Sequence, residues 1–254
     1  MATETPKTIA FLGASTGIGL AALTRALAAG HTCIALCRKP SKLSDRFPAA
    51  QHPNLHVVEG NAHDVAAVSR CLSVPDHPQQ LVDAVVSSIG GAFVFSKMTL
   101  DDPQVCEKGA ATLIEAIAAV RKQQQENGNV AAASWRPRVV VVSSSGLART
   151  GRDYPLPMIP MYKWMLKVPH ADKRAMEKTI VDGAAKGYTY TIVRPSLLVD
   201  DAAPTREVRV GIDDDFVVGY TISRDDTGRW MYESLLQDGD KIGRYENRIA
   251  TVTW

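Results

Sequence analysis

A chain of 254 residues, 45% of them apolar, can bury one large core, and α/β folds of this size commonly form a single domain. Its net charge of +2 is spread along the chain without a basic stripe, and its longest apolar runs are short strands, so nucleic acid and a membrane span are both excluded as partners. The opening "MATETPK" lacks the basic start and apolar core of a signal peptide. Cys33, Cys37, Cys71 and Cys106 form no CxxC pair and the histidines are scattered, so buried thiols, no structural metal and a reducing, cytoplasmic location are expected.

In chain order, 7–14 reads as a buried strand, 17–30 as a helix ending at Gly30, and 32–38 as the next strand. A strand at 54–61 and a helix near 64–73 follow, then a strand at 81–90 and a long helix at 103–125. Residues 127–137 read as a loop, 136–146 as a strand buried on both faces, 170–186 as a helix and 188–196 as a further strand. This alternation predicts a Rossmann-like, doubly wound, mostly parallel sheet. From 197 the alternation weakens. The expected elements there are a strand at 206–211, a helix at 223–237 capped by Ser223 or Asp225, and a closing strand at 248–254. The whole of 1–254 reads as one domain, with 197–254 as a small substrate-side lobe.

The turn "FLGASTGIG" (11–19) joins the first strand to the first helix. Gly13 permits the tight turn, Gly17 lets the backbone approach a pyrophosphate, and Gly19 lets helix and strand pack closely. The second strand ends in Arg38 and Lys39, where an NAD site usually carries an acidic residue. A cation there suits an adenosine 2′-phosphate and points to NADP(H), unless Arg38 merely solvates the strand end.

These glycines occur in order with the basic end of strand two, "EGNAHD" (59–64), "SSIGG" (87–91), "VVVVSSSG" (139–146), Lys173 with Glu177, and "IVRPSLL" (192–198). Together they resemble the short-chain dehydrogenase/reductase superfamily, in its atypical NmrA-like and biliverdin-reductase-like branch. The resemblance implies that Gly13, Ser15, Thr16, Gly17, Ile18 and Gly19 hold the pyrophosphate and Arg38 the 2′-phosphate. It places Asn61 and Ala62 near the adenine, although the family more often has Asp at the Asn61 position. Ser88, Ile89 and Gly90 would flank the ribose, and Pro195 and Leu197 would touch the nicotinamide. Lys173 would bind the nicotinamide ribose, and Ser145 would be the polar partner of the reacting oxygen, the alternative for Ser145 being a strand-end or capping hydroxyl.

Four residues before Lys173, where the family's tyrosine is expected, stands Pro169, which has no side-chain proton to give. Tyr154, Tyr162, His170 and Lys173 are the candidate replacements; near-neutral titration favours His170, and Tyr162 carries the right group on a different element. The segment 154–167 is too rich in Met, Pro and aromatics for a free surface loop. It reads as a wall for a large apolar ligand or as a packing surface. Two activities remain open. One is an NADPH-dependent reductase of a bulky hydrophobic small molecule in a biosynthetic pathway, acting as a monomer or homodimer. The other is an isomerase, cyclase or NADP-sensing regulator that keeps NADP(H) bound without net redox.

Overall fold

The computed structural model describes residues 5–94, 99–200, 206–237 and 241–254. The first half alternates as β1 (Thr8–Leu12), α1 (Gly17–Ala28), β2 (Thr32–Cys37), β3 (Leu55–Glu59), α2 (Val65–Ser69) and β4 (Ala84–Ser87). The second runs through α3 (Val105–Glu126), β5 (Arg138–Val142), α4 (Lys167–Gly183), β6 (Thr189–Pro195), β7 (Arg209–Ile212), α5 (Arg224–Met231) and β8 (Arg248–Thr253). These strands form one eight-stranded sheet in the order β7-β8-β6-β5-β4-β1-β2-β3, parallel throughout except where β7 runs against β8.

Burial on both faces explains the continuous apolar runs. Ile9 and Phe11 of β1 face the layer that holds Leu23 and Met231, while Ala10 and Leu12 face the layer that holds Leu113 and Ile180. Helix α2 is capped by Asp64, whose carboxylate accepts from the amides of Ala66 and Ala67. Ser223 caps α5 by accepting from Asp226 N, one of the two predicted caps.

The structure corrects several boundaries. The predicted loop 127–137 contains a helical turn, Ala131–Ser134, started by Asn129 Oδ1 accepting from Ala131 N. The helix predicted at 223–237 leaves α geometry at Tyr232 for a wider turn through Leu236. Within 154–167, Leu156–Met158 and Met161–Met165 are also helical turns and run directly into α4. In the tail, β8 and β7 extend the main sheet and α5 packs on α1, Gly228 closing on Ala21. Leu197–Val199 and Thr221–Ser223 make a separate two-stranded sheet.

Helix α4 is fastened to the ends of β5 and β6 by a buried ion pair. Arg194 donates from Nε and Nη2 to Glu177 Oε1 and Oε2 at 2.8 and 2.6 Å, and Ser143 Oγ donates to Oε1 at 2.6 Å. Removing the carboxylate strands a buried guanidinium, which costs about 3–5 kcal/mol. Glu177→Ala should therefore lower the urea unfolding free energy by about that amount. A loss below ~1 kcal/mol would show that the pair contributes little once its desolvation is counted.

Candidate active site

Sheet order reverses between β1 and β4, and the crevice beyond their C-terminal ends is where a doubly wound fold binds ligands. The turn from β1 into α1 enters that crevice through Gly13 (φ 87°) and Gly17 (φ 60°), both in the left-handed region. A Cβ on Gly13 would stand 3.0 Å from the Ser88 backbone, and one on Gly19 would overlap Ser88 Oγ and the Gly13 carbonyl. Ser88 Oγ donates to Gly13 O at 3.0 Å in the space this leaves. Thr16 offers α1 no side-chain cap and the first turn has no acidic residue, so the leading N–H groups remain available to an external anion.

Of the predicted cofactor residues, Gly13, Ser15, Thr16, Arg38, Asn61, Ala62, Ser88, Ile89 and Gly90 line one cleft of about 530 Å³. Arg38 is exposed there and has no hydrogen bond or ion pair among the described residues. Ile18 and Gly19 are buried within α1, and Gly17 faces a neighbouring hollow on the outer side of that helix. Pro195 is buried at the end of β6 with its carbonyl accepting from Ser145 N at 2.9 Å, and neither it nor Leu197 lines the cleft. Sequence reasoning did not single out His63, Asp101 and Asp102, which complete the rim. His63 lies inside the quoted "EGNAHD", and its Nε2 sits 2.9 Å from Val105 O. A left-handed glycine turn, free amides at α1 and an Arg38 unpaired among the described residues fit an NAD(P) dinucleotide.

Beyond Gly90 and Gly91 a smaller cavity of about 210 Å³ opens, lined by Ser144, Pro169, His170, Lys173, Leu166 and Cys106 among others. Lys173 Nζ donates to Val142 O at 2.7 Å and to Ile89 O at 3.3 Å, tying α4 to the ends of β5 and β4. Neighbouring Asp172 is buried and accepts from the amides of Cys106 and Glu107, which anchors the start of α3 beside the same cavity. Burial pushes the Cys106 thiol up to about 11, so it is a neutral wall group.

The structure separates the predicted catalytic residues into two groups. Lys173 and His170 reach the cavity, and Ser144, which sequence reasoning passed over, joins them with Oγ 3.4 Å from His170 Nε2. Ser145, expected at the reacting oxygen, is 0% exposed and bonds Tyr162 Oη at 2.8 Å instead. Tyr162 is buried, stacked on Tyr154 at 4.2 Å and tilted against His170 at 5.6 Å. This aromatic wall closes on Gly146 (φ 89°), where any Cβ would overlap both Tyr162 and His170. Asp153 Oδ1 accepts from Gly146 N at 2.8 Å, and its buried Oδ2 has no hydrogen-bond partner among the described residues.

Burial, reinforced by the Arg174 charge, lowers His170 to about 4, which corrects the expectation of near-neutral titration. Burial raises the Tyr162 phenol, the Ser145 hydrogen bond opposes that rise, and Asp153 and Tyr154 add to it. Both rings are therefore neutral at physiological pH.

Residues 13–238 match a family of NAD(P)H-binding proteins. This chain belongs to that family. The NAD(P)-binding identity read from the motifs stands, and the chain is an NAD(P)-dependent oxidoreductase. The reductase pytE of Aspergillus terreus is 37% identical over 266 residues, covering 97% of this chain and 98% of its own. The oxidase pynE of Aspergillus niger is 31% identical over 277 residues, with the same shares covered. A short-chain dehydrogenase/reductase of Veillonella parvula, crystallised with NADP, aligns with a TM-score of 0.69 over 98% of this chain and 95% of its own. At 15% identity that likeness is one of fold. Among the described residues no helix is long and apolar enough to cross a membrane, and no cluster of three or more His, Cys, Asp or Glu could hold a metal.

A folded-state His170 near 4 against an ordinary 6.5 favours the neutral ring, so its contribution to stability is complete above pH 6.5 and disappears as pH falls toward 4. The loss should be on the order of 3 kcal/mol. Subtracting the pH profile of His170→Asn from that of the wild type isolates it. A difference that stays flat across this window would rule out a buried neutral imidazole.

Proposed function

We propose that this chain is an NADPH-dependent reductase of a bulky, largely apolar small molecule carrying a carbonyl, imine or conjugated system. The supporting observation is the continuity of the cofactor cleft with a cavity that presents Ser144, His170 and Lys173 across the bare backbone of Gly90 and Gly91. Both named relatives carry redox names, one a reductase and one an oxidase. An apolar substrate is supported by Leu166 in the cavity wall and by the segment before it, which leaves Leu156 62% and Trp164 78% exposed.

NADPH, when bound, supplies the hydride. Arg38 pairs with the 2′-phosphate and the α1 amides meet the pyrophosphate. Lys173, fixed by two backbone carbonyls, orients the ribose beside the cavity. Ser144 holds the reacting oxygen or nitrogen by a hydrogen bond. A neutral His170 with its proton on Nε2 donates to Ser144 Oγ, which turns the hydroxyl hydrogen toward the substrate. Tyr162 and Ser145 act one layer back by holding the His170 ring in place. The tyrosine missing at Pro169 is thus replaced as hydrogen-bond donor by a serine and histidine pair, and the proton that balances the transferred hydride comes from solvent.

The test is a substrate screen followed at the NADPH absorbance, with products identified by mass. Ser144→Ala should slow NADPH oxidation at least roughly tenfold, and Arg38→Asp should weaken NADPH binding by roughly ten- to a hundredfold. Equal affinity of the wild type for NADH and NADPH would defeat the cofactor assignment. A product isobaric with its substrate, formed without loss of NADPH, would replace the reductase with an isomerase or cyclase.

A further inference from the structure

The hollow on the outer side of α1 has a volume of about 390 Å³ and adjoins the phosphate turn at Gly17. Its charged walls include Arg25 and Arg224, each already facing an acid: Arg25 pairs with Asp225 through both terminal nitrogens, at 3.0 and 2.8 Å. Arg224 is held differently. Its Nη1 donates to Asp200 at 2.9 Å, and its Nη2 and Nε have no partner among the described residues. Arg224 is 36% and Asp200 84% exposed, and an exposed ion pair of this kind holds its arginine weakly.

The position of the Arg224 stem is informative. A Cβ on Gly17 would meet Arg224 Cδ at 3.3 Å. That side of Gly17, which faces the hollow and not the cofactor cleft, is therefore covered by the Arg224 methylenes. The guanidinium begins just across Gly17, its Nε 3.9 Å from that Cβ position, at the first residue of the uncapped helix α1. The cleft itself supplies one unpaired arginine, Arg38, at the opposite, adenosine end.

We propose that Arg224 is a further cofactor-binding residue, which leaves Asp200 and pairs with the dinucleotide pyrophosphate across Gly17. The proposal rests on the dinucleotide reading of the cleft but not on its preference for the 2′-phosphate. Exchange is favourable because a pyrophosphate offers the guanidinium two oxygens in fork geometry, where Asp200 now engages one nitrogen. Start of α5 and phosphate turn would then close on the cofactor together, so that residues beyond the Rossmann half take part in holding it.

Dissociation constants of the purified full chain for NADPH and NADH, measured by calorimetry, test this. NADPH and NADH share the pyrophosphate, so Arg224→Gln should weaken both by the same factor, roughly ten- to a hundredfold. Arg38→Gln should weaken NADPH alone, and Arg25→Gln, in the same hollow, should change neither. Loss confined to NADPH in Arg224→Gln, or no loss in a variant that melts like the wild type, overturns the proposal. If Arg224→Gln does not fold, Asp200→Asn at an exposed position decides: freeing Arg224 should tighten both cofactors, and unchanged or weaker binding overturns the assignment. A wild type indifferent to the 2′-phosphate would remove the NADPH preference and leave the Arg224 result standing.

Discussion

The site depends on how closely the first turn of α1 lies against the end of β4. Gly13 and Gly19 leave no room for a methyl group, and Ser88 Oγ occupies the gap between them with a hydrogen bond to Gly13 O. That contact draws the α1 amides to the sheet's switch point and sets the width of the cleft. Larger side chains at either glycine would push the helix start away from β4, and with it the phosphate site. The neighbouring Ile89 backbone then receives Lys173 from α4, so the two halves of the site are joined through consecutive residues of one turn.

The second half is held from beneath by the Glu177, Arg194 and Ser143 cluster, which fixes how α4 meets β5 and β6. Along the segment leaving β5, consecutive serines take different partners. Ser143 meets Glu177, Ser144 lines the cavity beside His170, and Ser145 meets Tyr162. Three identical residues in a row thus have three different tasks: anchoring the helix, facing the cavity, and fastening the aromatic wall. The wall buries His170 and, with the Arg174 charge, holds its ring neutral, which leaves one ring nitrogen with a proton for a hydrogen bond.

This division of tasks also marks where the sequence stopped being readable. The glycine turn, the strand order and Arg38 were legible because each follows from a local backbone need or a charge at a strand end. The resemblance points to Ser145, and nothing local announces that its hydroxyl meets Tyr162 while that of Ser144 beside it lines the cavity. Burial of His170 depends on Tyr162 and Gly146 packing against it, contacts between elements that the sequence does not announce. Glu177 and Arg194 are 17 positions apart on a helix and a strand, and their pairing became visible only when β6 was laid beside β5. The helical turn at Ala131–Ser134 escaped because its starting signal is one asparagine and four residues are too few to show a helical period.

The placement of β8 between β6 and β7 bears on how the chain reaches this structure. Strands β1 to β6 leave a ribosome in nearly the order in which they can associate, each next to partners already made. The far side of β6 has no such partner until residues 248–253 are synthesised, and β7, made earlier, has nothing to pair with in the meantime. An unpaired parallel edge at β6 is an adhesive surface during that interval. Arg194 lies on that strand with its charge already committed to Glu177. The same ion pair that secures the finished site therefore holds β6 in place while its last neighbour is still being made.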